Sequence, residues 1–291
     1  MANSETHDAL EFTVAGIDDL PDFNGDLTAP ELVLYVGGNY FFAMPALVAA
    51  FEAEYADMKG RIYWETIPPG RLRQQLERQG RIRVGNMSWT VKADAYFAGL
   101  SGIEKAIKDG LVDGPAVSYA TNDLTIMIRD EDRAKITSLE DLGRPGLRLA
   151  MPDPAYEGIA HQARAALVKT GGEALATTVY ETKVSSGETL LTQIHHRQTP
   201  AFLKAGRVDA GVTWKSEALY QTEIGSGLTG VEIPDALNVT GTYAGAVVAG
   251  AAHPEAARNW LDFLCSGAAQ DIFHRYGFSS CQNGRATAPA C

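Results

Sequence analysis

The feature that most constrains this chain is its alternation. Short apolar, β-branched runs end in glycine or proline and hand over to stretches with apolar residues at helical spacing. "ELVLYVGG" gives way to "FFAMPALVAAFEAEY", and "GRIYWETIPPG" to "RLRQQLERQG". "LRLAMPDP" gives way to "YEGIAHQARAALVKTGG", and "RVDAGVTW" to "KSEALYQTEI". A chain that keeps this order from end to end belongs to the α/β class, with parallel strands in its sheets.

Other segments fill in the pattern. "NDLTIMIRD" and "GTYAGAVVAG" read as strands, "SGIEKAIKDGLV" as a helix stopped by Gly110, and "RIRVGNMSWTVK" as extended chain turning at Gly85-Asn86. "SLEDLGRPG" reads as a helical turn capped by Ser138, and "SSGETLLTQIHHRQ" as a helix capped by Ser185 or Ser186 with His195-His196-Arg197 toward its end. Residues 1–29 read as an acidic arm or a short edge strand at Phe12-Thr13-Val14, and residues 282–291 as a loose polar tail.

The 291 residues suffice for about two domains. No long flexible linker divides them, so a junction between two lobes must run through strands: Asn122 to Arg129 outward and Asn238 to Val247 back. Residues 30–122 with 238–281 then make one lobe and 123–237 the other. A net charge of -11 argues against nucleic acid or anionic membrane as a partner. It leaves room for a small anion held by local dipoles. No apolar run approaches the roughly 20 residues of a membrane span.

In open α/β sheets ligands bind beyond the carboxyl ends of strands, and four such ends carry unusual residues. Gly37-Gly38-Asn39-Tyr40 offers close backbone approach and a side-chain N–H. Pro68-Pro69-Gly70, Met151-Pro152-Asp153-Pro154 with Glu157-Gly158, and Thr213-Trp214-Lys215 follow. Each alone is a turn; four together, each before a helix, point to a binding cleft. Trp89 and Trp214 could wall it, while His195 and Arg197 would suit an anion. No G-x-S-x-G elbow, P-loop or G-x-G-x-x-G appears. A metal-binding or enzymatic protein using His195, His196 and Glu157 is the rival reading, although adjacent histidines do not form the i, i+4 pair of a zinc helix. A ligand-sensing module for a membrane receptor is another. Three cysteines, Cys265, Cys281 and Cys291, lie near the C-terminus. A Cys265–Cys281 bridge and a pair of free thiols are both open, the bridge implying an oxidising compartment.

In combined order these segments, from "ELVLYVGGNYFFAMPALVAAFEAEY" through "GRVDAGVTWKSEA" to "AARNWLDFLCSGAAQDIFHRYGF", resemble the periplasmic solute-binding proteins of ABC transporters, type II fold, molybdate-binding group. The resemblance covers about residues 30 to 278. It implies two lobes, a mixed sheet in each and crossing hinge strands, closing on a solute that is delivered to an ABC permease. It implies a monomer outside the cytoplasm with its signal peptide removed, no enzymatic activity and no cofactor. The solute-binding residues carried over or singled out are Gly38, Asn39, Tyr40, Gly70, Trp89, Glu157, Gly158, His195, Arg197 and Trp214. The chain departs from the family pattern where serines give way to Gly38-Asn39 and Pro69-Gly70 and a tyrosine to Trp214. An oxyanion like molybdate or tungstate, or a small organic anion, is the expected solute.

Overall fold

The computed structural model describes residues 10–11, 22–84, 87–133 and 135–281. Phe12-Thr13-Val14, the Gly85-Asn86 turn, the tail 282–291 and Cys291 lie outside them. The chain divides into two compact units. The first comprises the described residues of Met1–Ala120, Thr242–Phe273 and Ser280–Cys291; the second comprises those of Thr121–Gly241 and His274–Ser279. The strands Val112–Asn122 and Gly241–Val248 carry the chain from one to the other.

The sheet of unit 1 is mixed. Its order is Ser279–Ser280, Val112–Asn122, Gly241–Val248, Ala95–Gly99, Leu32–Gly37, Ile62–Ile67, Phe23–Gly25. Leu32–Gly37 is central, buried along its whole length, and parallel to both neighbours. Continuous burial on both faces is why its sequence is a continuous apolar run rather than an alternation. Beyond it the chain makes a 3-10 turn, Gly38–Tyr40, and then the helix Met44–Glu54, with Pro45 in its first turn where no N–H is needed. Ile62–Ile67 leads into the helix Pro69–Glu77 in the same manner. A small separate sheet pairs Leu10–Glu11, Arg81–Val84 and Met87–Thr90.

The sheet of unit 2 is also mixed, in the order Thr189–Thr192, Leu149–Pro152, Ala210–Trp214, Leu124–Arg129, Leu228–Glu232. The first three strands run parallel and the last two pair antiparallel. Gly211 and Gly230 lie opposite Met127 from either side. A Cβ on Gly211 would meet Thr199 Cγ2 at 2.5 Å, and one on Gly230 would meet Thr125 Oγ1 at 2.8 Å and the Ala218 Cβ at 3.2 Å. These two glycines thus let the helices His195–Lys204 and Lys215–Glu223 settle onto one face of the sheet.

Three local readings need correction. "SSGETLLTQIHHRQ" is not a helix. Gly187, at φ 80°, closes the short helix Lys183–Ser186, and Thr189–Thr192 is an edge strand parallel to Leu149–Pro152. Two threonines flanking two leucines favour the pleat. His195 therefore opens a helix instead of ending one. Ser138 makes no side-chain cap; the Asp141 carboxylate accepts from the Thr137 and Ser138 amides at 2.7 and 3.1 Å. Cys265 and Cys281 are not bridged to each other, and Cys265 donates to the Ser118 carbonyl at 3.9 Å.

Candidate functional site

In unit 1 the first strand end is built inward. Gly38, Asn39 and Tyr40 are all buried. The Asn39 amide donates to the Tyr243 hydroxyl, so the side chain credited with a solute contact is engaged within the protein. The Tyr40 and Tyr119 hydroxyls share a hydrogen bond of 2.7 Å. The Tyr40 ring meets Tyr119, Tyr243 and Phe273 edge-on at 5.9–6.3 Å. Burial pushes both hydroxyls well above the ordinary tyrosine range, so both stay neutral. Tyr40 thus holds the turn in place. Gly70 is partly exposed, at the start of a helix whose Arg71 and Leu72 amides already donate to the Pro68 carbonyl at 2.8 and 3.1 Å. Pro69 brings no N–H, and its carbonyl accepts from Tyr96 at 2.9 Å.

Trp89 belongs to the small sheet. It packs edge-on against Phe23, centroids 4.9 Å apart, and Phe23 is not among the candidate residues. Tyr63 donates to Glu65 at 3.0 Å, which also accepts from Gln75 at 3.1 Å. Burial pushes the Glu65 carboxyl up to about 8, against the pull of those two hydrogen bonds.

Unit 2 gathers candidates that sequence spacing leaves 38 residues apart. The chain leaves Leu149–Pro152 through a turn in which the Ala155 amide donates to the Asp153 side chain at 2.8 Å and the Glu157 amide to the Asp153 carbonyl at 2.9 Å. This turn aims the Glu157 side chain inward, at 2% exposure. There it accepts from the His195 amide at 2.9 and 3.0 Å, from the Thr192 hydroxyl at 2.9 Å and from His195 Nδ1. A helix start carries amides without partners in the helix. Here His195 finds a carboxylate, and Gln193 and Ile194 find the Gln198 side chain at 2.5 and 2.8 Å.

The other ring nitrogen of His195, Nε2, lies 3.0 Å from Glu217 Oε1. Both nitrogens thus face carboxylates of the same unit, and His195 is the link between the two turns. Glu217 sits three residues past Trp214 and takes the Trp214 backbone N–H, one half of a capping box. Its second oxygen, Oε2, is buried without a hydrogen-bond partner. Burial raises the Glu217 carboxyl, and His195 partly opposes the rise. Burial, aided by the charges of His195 and Arg197, holds His196 well below its ordinary value and hence neutral. Arg197 is buried on the same helix, and Gly158 is exposed beside Glu157. The Trp214 ring lies over Gly241, where a Cβ would come within 2.3 Å of Cη2.

Among the described residues, no set of three or more His, Cys, Asp or Glu side chains is arranged to hold a metal ion. The reading from sequence missed Glu217, Thr192 and Tyr243. Glu217 was legible as the acidic residue three places after a strand-ending Trp. Thr192 was hidden by the mistaken helix.

Mixed sheets whose strands feed helix after helix, in two units each entered and left by strands, define a solute-binding protein of the type II periplasmic class. The model of the family described as bacterial extracellular solute-binding protein matches residues 32–279, and the chain belongs to that family. It is 28% identical over 193 residues to the molybdate-binding protein ModA of Mycobacterium tuberculosis and of Mycobacterium bovis, a stretch covering 65% of this chain and 65% of theirs. Among solved structures, the sulfate-binding protein SubI of Mycobacterium tuberculosis superposes with a TM-score of 0.70 at 20% identity over 86% of each chain. The Azotobacter vinelandii periplasmic molybdate-binding protein gives 0.65 at 13% identity, over 86% of this chain and all of that one. The binding protein AfuA of Actinobacillus pleuropneumoniae, solved with fructose-6-phosphate, gives 0.68 at 16% identity, over 90% and 88%. Among the described residues no helix is long and apolar enough to cross a membrane.

Proposed function

We propose that this protein captures a small anion outside the cytoplasm and delivers it to an ABC permease without chemically changing it. The anion is an oxyanion of the molybdate or sulfate kind, or a small organic anion. The relatives and structural neighbours named above bind molybdate, sulfate or a sugar phosphate, all anionic. The observation that carries the reading is in unit 2. The helices Ile159–Thr177, His195–Lys204 and Lys215–Glu223 each begin just beyond a strand of the sheet, and one of these helix starts already holds a carboxylate. Amides so placed favour negative charge without a formal cation.

Thermal unfolding against molybdate, tungstate, sulfate, phosphate and small carboxylates tests this. A true solute at about 100 times its dissociation constant adds about 2.7 kcal/mol of stability. If none of these anions raises the melting temperature, the reading fails.

A further inference from the structure

His195 makes an unusual demand on protons. Its Nδ1 faces Glu157 and its Nε2 faces Glu217, and all three side chains are buried. A neutral imidazole has a single N–H donor, whereas ionised carboxylates only accept. Two ring contacts therefore need two protons in the cluster. These are either an imidazolium between two carboxylates, or an imidazole with one carboxylic acid. Remove one proton and two acceptors face each other, away from water, across about 3 Å, which is costly.

Charged and titratable groups reach the cluster from each element packed against it. From its own helix the groups beside His195 are His196, held neutral, and Arg197, whose charge disfavours an extra proton on that ring. From the turn before Ile159–Thr177 comes Glu157, and from Lys215–Glu223 comes Glu217 with its unpartnered Oε2. From the strand Thr189–Thr192 comes the Thr192 hydroxyl, which donates to Glu157.

We propose that His195 is a positioning residue: by donating to Glu157 and Glu217 together it clamps the turn at 153–158 to the turn at 214–217, and the clamp opens when the cluster gives up a proton. Resting on the proposed function, this makes anion affinity fall as pH rises. The stabilisation is present at low pH, where both donors exist, and is lost toward alkaline pH.

The test uses the full chain and the variants His195→Gln and Glu217→Gln. Glutamine at 195 cannot donate to two carboxylates in line. Glutamine at 217 can donate to or accept from Nε2, so it tolerates both protonation states of the ring. Without any solute, hydrogen exchange at 153–158 and 214–217 is followed with pH, alongside the 15N signals of the His195 ring. With molybdate and sulfate as probes, affinity is followed over the same range. In wild type the two turns should loosen together as the ring or its partner loses a proton, with anion affinity falling about tenfold. His195→Gln should be loose and weak throughout, and Glu217→Gln should show a flat pH profile in both measurements. A merely structural histidine would not give the flat Glu217→Gln profile. If His195→Gln does not fold, the Glu217→Gln comparison alone decides. Turns that hold equally at every pH in wild type, or a Glu217→Gln profile that still slopes, overturn the clamp. Failure of both anions to bind wild type, with the solute-free profiles as expected, would sink the proposed function and leave the clamp standing.

Discussion

Glu65 offers a quantitative test of how unit 1 is held together. Its carboxyl is fully buried, one oxygen accepts from Tyr63 and Gln75, and the other has no partner. The folded carboxyl titrates at about 8, against an ordinary 4.5. The folded state therefore holds a proton that the unfolded state has already released. Between those two values stability must fall as pH rises, and above about 8 the loss is complete. At about 1.36 kcal/mol per pH unit, the whole interval costs roughly 5 kcal/mol. Glu65→Gln keeps the shape and removes the titration. Its stability relative to wild type should climb across that window, from near zero or a small deficit to an advantage of several kcal/mol. Urea unfolding at a series of pH values measures this. In a Trp214→Phe background the remaining tryptophans, Trp64, Trp89 and Trp260, all report unit 1. A stability difference that stays constant from about pH 5 to about pH 8 would mean that Glu65 is not neutral in the folded protein, and the assignment would fall.

Two further substitutions test particular contacts. Tyr40→Phe strips the hydroxyl that pairs with Tyr119 at 2.7 Å and leaves a buried O–H without its partner, which should cost about 1–3 kcal/mol in urea unfolding. Gly241→Ala drives a methyl into the Trp214 ring and should displace it, read as a changed Trp emission maximum and a stability loss of about 1–3 kcal/mol.

The strand–helix order was readable where strands such as Leu32–Gly37, Leu149–Pro152 and Ala210–Trp214 are buried along their length and helices such as Leu100–Lys108 and Pro254–Leu264 bury one side, so hydrophobic period and burial coincide. Thr189–Thr192 escaped because a four-residue edge strand has no period of its own, and the helix His195–Lys204 follows within three residues. The strand-end turns were legible in the sequence, and the side-chain contacts within them were not. Glycines and prolines at strand ends correctly marked the turns. Whether Asn39 points toward a solute or toward Tyr243 depends on a residue 204 positions away. The pairing of His195 with Glu217 depends on two helices meeting over Gly211 and Gly230. Neither fact has a local signal.

What fills each turn bears on where solute choice can reside. Pro69 removes a donor, Asn39 is held by Tyr243, Glu157 and His195 hold each other, and Glu217 holds the Trp214 amide. These buried side chains satisfy backbone or side-chain groups of their own unit. Replacing any of them disturbs a turn before it removes a contact to a guest, because a buried polar atom left unpaired costs more than a solvent-exposed contact contributes. On the proposed reading, discrimination between anions therefore falls to what remains open at these same turns. Those groups are Gly70 and Arg71, partly exposed at one helix start of unit 1, with Gly158 and Lys215 exposed at two helix starts of unit 2. Glycines admit close approach of a rounded oxyanion to the backbone. Lys215, 3.4 Å from the Glu232 carboxylate, and Arg71 respond to charge more than to shape.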